Sequence, residues 1–421
     1  TSISAALGFA EASKQLGLGH KTVALIGDGS LTGGLALEGM NNAGAAKSDL
    51  LVILNDNNIS IDRNIGALHE YLLHITSDPR YNKAKKRVWD GLGDGKFRSG
   101  LQRFVVNAKS SLVRRSGGDL FEAMGFRYFG PVDGNDISQV VTTLRKLKAL
   151  DGPILLHTLT KKGKGYAPAE ADQTVWHAPG MFDPETGERI KSSTGASRYQ
   201  DVFGQVLLEL ARMDSRVVGV TPAMASGCGM NLLSKEMPGR FYDVGIEEEH
   251  AVTFSAGLAA GGMRPFCNIY SSFSQRAYDQ IIHDVALQGL PVVLCLDRSG
   301  IVGEDGPTHH GCYDMAIYRS IPGAVIAAPK DEAELKDMMY SALKHESGPY
   351  IIRYPRGYGE GVEWRNHEFS LLGTGKGELV AEGSRIAVIA AGPVVNRAVE
   401  AAAEICKEHG WSPSVYNIRY V

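Results

Sequence analysis

A chain of 421 residues has material for two or three domains, and 43% apolar with 22% charged residues is the balance of an ordinary globular protein. A net charge of −3 gives no global reason to expect nucleic acid or an acidic membrane, and no apolar run approaches the ~20 residues of a membrane span. Cys228, Cys267, Cys295, Cys312 and Cys406 form no CxxC pair and suggest no disulfide framework, so a reducing cytoplasm is expected.

The chain opens at Thr1 inside an apolar helical pattern (Ala5, Ala6, Phe9, Ala10), without a targeting segment, and reads as partial at both ends. An apolar strand at 22–27 then delivers Asp28 within Gly27-Asp28-Gly29, where glycines permit a tight turn and close backbone approach. Ser30 is placed to cap a helix over Leu31–Ala46, whose free N–H groups favour an anion. A second strand at 50–56 brings Asn57 back to the same sheet edge. A carboxylate and an amide oxygen there suit Mg²⁺ carrying a diphosphate, with phosphate and water completing the shell. No G-x-G-x-x-G opens the helix, which argues against a dinucleotide site. Gly-Asp-Gly alone is usually a turn. Gly93-Asp94-Gly95 is the internal control: no apolar strand precedes it, and it reads as a loop.

Arg80–Arg115 is strongly basic and reads as a solvated helical excursion in preference to a phosphate or nucleic-acid patch. A strand at 153–159 completes a parallel sheet covered on both faces, and residues 168–198 read as a linker. A second strand–helix series follows, with strands at 217–220, 241–244, 266–270, 292–296, 325–328 and 350–353. After a linker near Gly357–Leu371 comes a strand at Arg385–Ala391, a helix at Val394–His409 and a strand-like Ser414–Val421 with nothing to cover it. The fold class is α/β, as successive three-layer domains with mostly parallel sheets.

Ile26-Gly27-Asp28-Gly29 through Asn55-Asp56-Asn57-Asn58 resembles the thiamin-diphosphate motif of transketolase-like enzymes. The sharper resemblance is to the 1-deoxy-D-xylulose-5-phosphate synthase family, through most of the chain: Gly130-Pro131-Val132-Asp133-Gly134, Thr160–Tyr166, Glu248–Phe254, Phe273–Gln280, Asp305–His309 and Arg353–Gly357. The resemblance implies a diphosphate-binding domain over 1–190 with the helical excursion at 64–118, a pyrimidine-binding domain over 191–365, and the start of a truncated C-terminal domain over 366–421.

It also implies roles. Asp28, Asn57 and the backbone carbonyl of Ile59 would hold Mg²⁺. Gly29, Ser30, Lys162 and Tyr166 would meet thiamin diphosphate, and Phe273 would stack on its pyrimidine. Glu248 would be the acid that hydrogen-bonds the aminopyrimidine, a task that requires a desolvated carboxyl. The sequence departs from the family at Glu247, usually a small residue, and Glu249, usually Gln; added negative charge would raise the Glu248 pKa further. Arg298 and Arg356 each follow a predicted strand, and guanidinium groups grip phosphate bidentately. With Tyr270 and Arg276 they match the family's substrate group, while His177, Asp305 and His309 match polar residues around the reacting carbons. The implied reaction is a decarboxylative condensation of pyruvate with D-glyceraldehyde 3-phosphate through a thiamin-diphosphate enamine, in a cytoplasmic homodimer that feeds isoprenoid, thiamin and pyridoxal synthesis. The rivals are a transketolase and a non-catalytic cofactor-binding fragment.

Overall fold

The computed structural model describes residues 1–57, 65–77, 119–177, 179–190 and 195–421. They form two compact units, Thr1–Arg189 and Ile190–Val421. The control tripeptide at 93–95, most of the excursion at 64–118 and Ile59 lie outside the described residues.

In the first unit, β1 (Thr22–Gly27), β2 (Leu50–Asp56), β3 (Arg127–Asp133) and β4 (Ile154–Leu159) form one sheet in the order β1-β2-β4-β3, and every pair is parallel. Helices α1 (Ser2–Gln15), α2 (Gly34–Ala46), α3 (Ala67–Ser77) and α4 (Ile137–Leu147) accompany it. Parallel strands need crossovers, and burying both faces makes their sequences nearly continuous in apolar residues. Leu50, Val52 and Leu54 of β2 accordingly pack with Ile3, Met40 and Leu155. The expectation of two covered faces fails at β1, where Val23 and Leu25 are 50% and 63% exposed.

β3 falls at a stretch not predicted as strand. Gly130-Pro131 interrupts it, and its register against β4 shifts between Phe129 and Val132, so the strand survives only through a bulge. Ser30 does not cap the long helix. Asp28–Leu31 form a separate helical turn, Thr32 Oγ1 donates back to the Gly29 carbonyl at 2.9 Å, and α2 starts at Gly34 without a side-chain cap. The Gly33-Gly34 pair lets the chain re-aim there, leaving Ser30 exposed.

Packing also explains a glycine in α2. A Cβ on Gly44 would sit 1.8 Å from the Met124 carbonyl oxygen, so helix and loop backbones touch. Gly44→Ala should destabilise the unit by about 1–3 kcal/mol; denaturant unfolding reads this, and an unchanged midpoint would contradict the close approach.

The second unit carries β5 (Val217–Thr221), β6 (Phe241–Asp243), β7 (Arg264–Tyr270), β8 (Val293–Asp297), β9 (Val325–Ala327) and β10 (Tyr350–Arg353), a parallel sheet ordered β6-β5-β7-β8-β10-β9. Its larger helices are α5 (Tyr199–Met213), α6 (Glu248–Ala260) and α7 (Glu332–Lys344). A smaller sheet follows, in which β13 (Ser414–Asn417) lies between β11 (Glu378–Ala381) and β12 (Ala387–Ala390), with α8 spanning Val394–His409. The expectation that the last strand is uncovered is corrected here. β11, absent from the sequence reading, pairs antiparallel with β13, and Val415 and Asn417 are fully buried. Arg419 just beyond donates to Glu334 at 2.7 Å and to Glu378 at 2.7 Å, tying this sheet to α7.

Candidate active site

Ligands of open α/β sheets gather at the carboxyl ends of strands, and in each unit the candidate residues lie there. In the first unit Gly27 pairs in register with Asn55, so Asp28 and Asn57 leave neighbouring strands at the same edge. Asp28 is 5% exposed. A carboxylate and an amide oxygen are the ligand types that a hard cation takes.

Lys162 follows β4 and is half-buried. Burial lowers its pKa, while the Asp28 carboxylate is near enough to pull it back up. Tyr166 packs edge-on against Trp176 at 5.1 Å between ring centres and lies 6.0 Å from Phe182, which holds its hydroxyl in a buried position without a hydrogen-bond partner among the described residues. Gly29 is half-buried at the turn. His177 is exposed, on the loop after Trp176.

The end of β2 carries a feature the sequence did not disclose. His157 on β4 is fully buried, with Nε2 2.8 Å from Asp56 Oδ2 and Nδ1 2.6 Å from the Tyr128 hydroxyl. No spacing rule links residues 101 positions apart, so only the fold brings them together.

In the second unit Glu248 is the first residue of α6 and is 2% exposed. It does not simply decorate the helix start. Burial pushes its carboxyl above the ordinary carboxylate value, the Arg276 guanidinium at 2.9 Å opposes that, and Glu249 reinforces it. The charge of Glu249 therefore acts in the direction expected from the sequence. Arg276, placed by resemblance among substrate contacts, is paired with Glu248, and its side chain is 52% exposed.

The remaining residues form one cluster. Tyr270 ends β7 and stacks on Phe273 with ring centres 5.5 Å apart; Phe273 meets His309 edge-on at 5.0 Å. The Arg298 guanidinium lies 3.8 Å over the Tyr270 ring and bonds Asp297 at 3.0 Å. Asp297 is fully buried, and its carboxyl is pushed up to about 6 by that burial, against the pull of Arg298. Arg298 has a left-handed backbone (φ 62°), unusual for a side chain of this size and of the kind that collects at functional sites. Asp305 binds both arginines, at 3.3 Å from Arg298 Nε and 3.0 Å from Arg356 Nε, while Glu304 takes a second contact from Arg356 at 3.2 Å. The two arginines thus share Asp305, and each keeps a second acidic partner, so a dianion reaching them would have to displace carboxylates.

Residues 1–160 match the family described as 1-deoxy-D-xylulose-5-phosphate synthase, and residues 196–360 match the pyrimidine binding domain of transketolase. Two α/β units with mostly parallel sheets, the second matching such a domain, place the protein in the thiamin-diphosphate-dependent, transketolase-like class. A 1-deoxy-D-xylulose-5-phosphate synthase of Cytophaga hutchinsonii is 50% identical over 430 residues, covering 100% of this chain and 67% of its own. One of Phocaeicola vulgatus is 51% identical over 429 residues with the same coverage. A transketolase structure from Campylobacter jejuni covers 99% of this chain and 70% of its own at 20% identity, with a TM-score of 0.49. The chain belongs to the 1-deoxy-D-xylulose-5-phosphate synthase family, and it spans about two thirds of the length of these curated relatives.

Proposed function

We infer that this protein joins the two-carbon unit of pyruvate to D-glyceraldehyde 3-phosphate, releasing CO₂ and forming 1-deoxy-D-xylulose 5-phosphate. The carrying observation is the register that sends Asp28 and Asn57 from adjacent parallel strands to one edge. The residues fit thiamin diphosphate and Mg²⁺. Asp28 supplies a buried carboxylate, Lys162 a half-buried cation beside it, and Tyr166 a buried hydroxyl with no partner among the described residues.

When bound, thiamin diphosphate supplies a nucleophilic thiazolium carbon and an electron sink for decarboxylation. In this reading Asp28 and Asn57 ligate the metal, with Ile59 offering a carbonyl. Lys162 neutralises diphosphate charge, and Gly29 and Ser30 offer N–H groups. Tyr166 lies near the cofactor, Phe273 stacks on its pyrimidine, and Glu248 holds a proton at the aminopyrimidine. Arg298 and Arg356 grip the phosphate of the aldehyde, Tyr270 supports Arg298, and Arg276 orients Glu248. His309, Asp305 and His177 serve proton transfer around the reacting carbons, histidine being suited to that near neutral pH. The same reading takes 1–190, 191–365 and 366–421 as successive domains of a cytoplasmic homodimer that feeds isoprenoid, thiamin and pyridoxal synthesis. Among the described residues no helix is long and apolar enough to cross a membrane.

The test is CO₂ release from pyruvate that requires glyceraldehyde 3-phosphate, thiamin diphosphate and Mg²⁺ together. Ketose-phosphate consumption without CO₂ would support a transketolase instead, and cofactor binding without turnover a non-catalytic chain. Arg356→Leu should raise KM for glyceraldehyde 3-phosphate about tenfold, as expected for losing one charge-assisted contact of roughly 1.5 kcal/mol. KM for pyruvate should stay within twofold; equal changes in both constants would remove Arg356 from the phosphate site.

A further inference from the structure

Asp56 and His157, both buried, and the half-buried Tyr128 form a chain across three neighbouring strands that starts at the last residue of β2. His157 pairs with Leu54 in register, so it reaches diagonally to Asp56 on the same face. On the opposite face Asn55 pairs with Thr158, and Thr160 reaches diagonally to Asn55, its Oγ1 donating to Asn55 Oδ1 at 2.8 Å. The Thr160 N–H also donates to the Asp56 carbonyl at 2.9 Å. The end of β2 is thus pinned from both faces and along its main chain, and Asn57 is the next residue.

The polarity of the chain follows from its acceptors. A carboxylate oxygen accepts, so in the neutral ring Nε2 carries the proton toward Asp56, which leaves Nδ1 to accept from the Tyr128 hydroxyl. Tyr128 is itself stacked on Phe121, with ring centres 5.7 Å apart and planes within 6°. Each member is therefore held in one orientation by the one behind it. Burying these polar groups at the only end of the strand that faces a ligand edge suits a site that needs its ligand aimed.

We propose that His157 is a positioning residue for the Mg²⁺-binding oxygen of Asn57, acting through Asp56 and held in its orientation by Tyr128. The proposal rests on the reading of Asn57 as a metal ligand given above. It assigns no contact between His157 and metal, cofactor or substrate.

Two amide replacements separate orientation from packing. Gln at 157 extends to the Nε2 position and can still donate to Asp56. Asn ends near the Nδ1 position and can meet only Tyr128. Calorimetric titration of Mg²⁺ into the protein with saturating thiamin diphosphate gives the metal dissociation constant, and melting without ligands reports on the fold. His157→Asn should weaken Mg²⁺ about 10- to 100-fold, as expected for lost outer-shell support, while His157→Gln stays within about threefold. Melting temperatures of the two variants should be alike. Wild-type Mg²⁺ affinity in His157→Asn, or equal weakening in both variants, would overturn the proposal. Asn57→Ala separates the two readings: if it binds Mg²⁺ normally, the metal assignment and this inference fall together. If it weakens Mg²⁺ and His157→Asn does not, only the inference falls. Should His157→Asn fail to fold, Tyr128→Phe carries the test. Removing that one oxygen should weaken Mg²⁺ about threefold or more, and an unchanged constant would dismiss the chain of orientation.

Discussion

Glu248→Gln should lower turnover by about 10²- to 10⁴-fold, the range for losing a positioned acid–base group, while leaving the fold at least as stable. Both halves of that expectation come from burial. The carboxyl is 2% exposed, and desolvation is the largest influence raising its pKa above the ordinary 4.5. A group whose folded pKa is raised lends stability that is fully present below its unfolded pKa and lost as pH rises through the folded value. Glutamine stays neutral, so it escapes that loss. The melting temperature of the variant should match the parent near pH 4 and exceed it increasingly toward pH 8. Arg276 loses its partner in the exchange, but its side chain is 52% exposed and water can take over. Calorimetry should find thiamin diphosphate still bound, since an amide can hydrogen-bond the same ring. Full activity in the variant would remove Glu248 from the chemistry. A melting temperature that falls with rising pH relative to the parent would show instead that the ion pair with Arg276 outweighs desolvation.

The contrast between legible and hidden features follows from range. Strands such as β2 and β8 are continuous apolar runs ending in a polar residue, and local pattern suffices for them. Glu248 is singled out by resemblance, because the local pattern of a short strand and a helix start fits an ordinary acidic helix terminus equally well, and its burial is visible only in the fold. Ser30 was misread because the glycines at 33 and 34 permit a break that no propensity demands. β3 was missed because Gly130-Pro131 speaks against a strand, while pairing with β4 on both sides of the bulge overrides it. β11 was missed because four residues carry little period, and β13 was misjudged as bare because its cover comes from that missed strand. The contact of Arg356 with Asp305, like the chain from Asp56 to Tyr128, joins residues dozens of positions apart. Only sheet register decides which of them meet.

Asp28→Asn should weaken Mg²⁺ in the presence of thiamin diphosphate by on the order of 10³-fold, corresponding to about 4 kcal/mol for removing one member of a buried charge pair. The amide keeps an oxygen of similar reach, so shape is preserved and charge is what changes. Loss of that charge also acts on Lys162, whose pKa burial lowers and Asp28 raises. With only the lowering influence left, the Lys162 ammonium should titrate at a lower pH than in the parent. Diphosphate affinity should consequently fall off at a lower pH on the alkaline side, because the neutral amine no longer balances phosphate charge. Metal titrations at several pH values read both effects on one sample, and melting without ligands checks that the unit remains folded. If the variant keeps its Mg²⁺ affinity, the carboxylate at the end of β1 is not a metal ligand. If Mg²⁺ affinity falls but the alkaline limb of diphosphate binding stays put, then Lys162 sits outside the diphosphate's reach and the two residues act on different ligands.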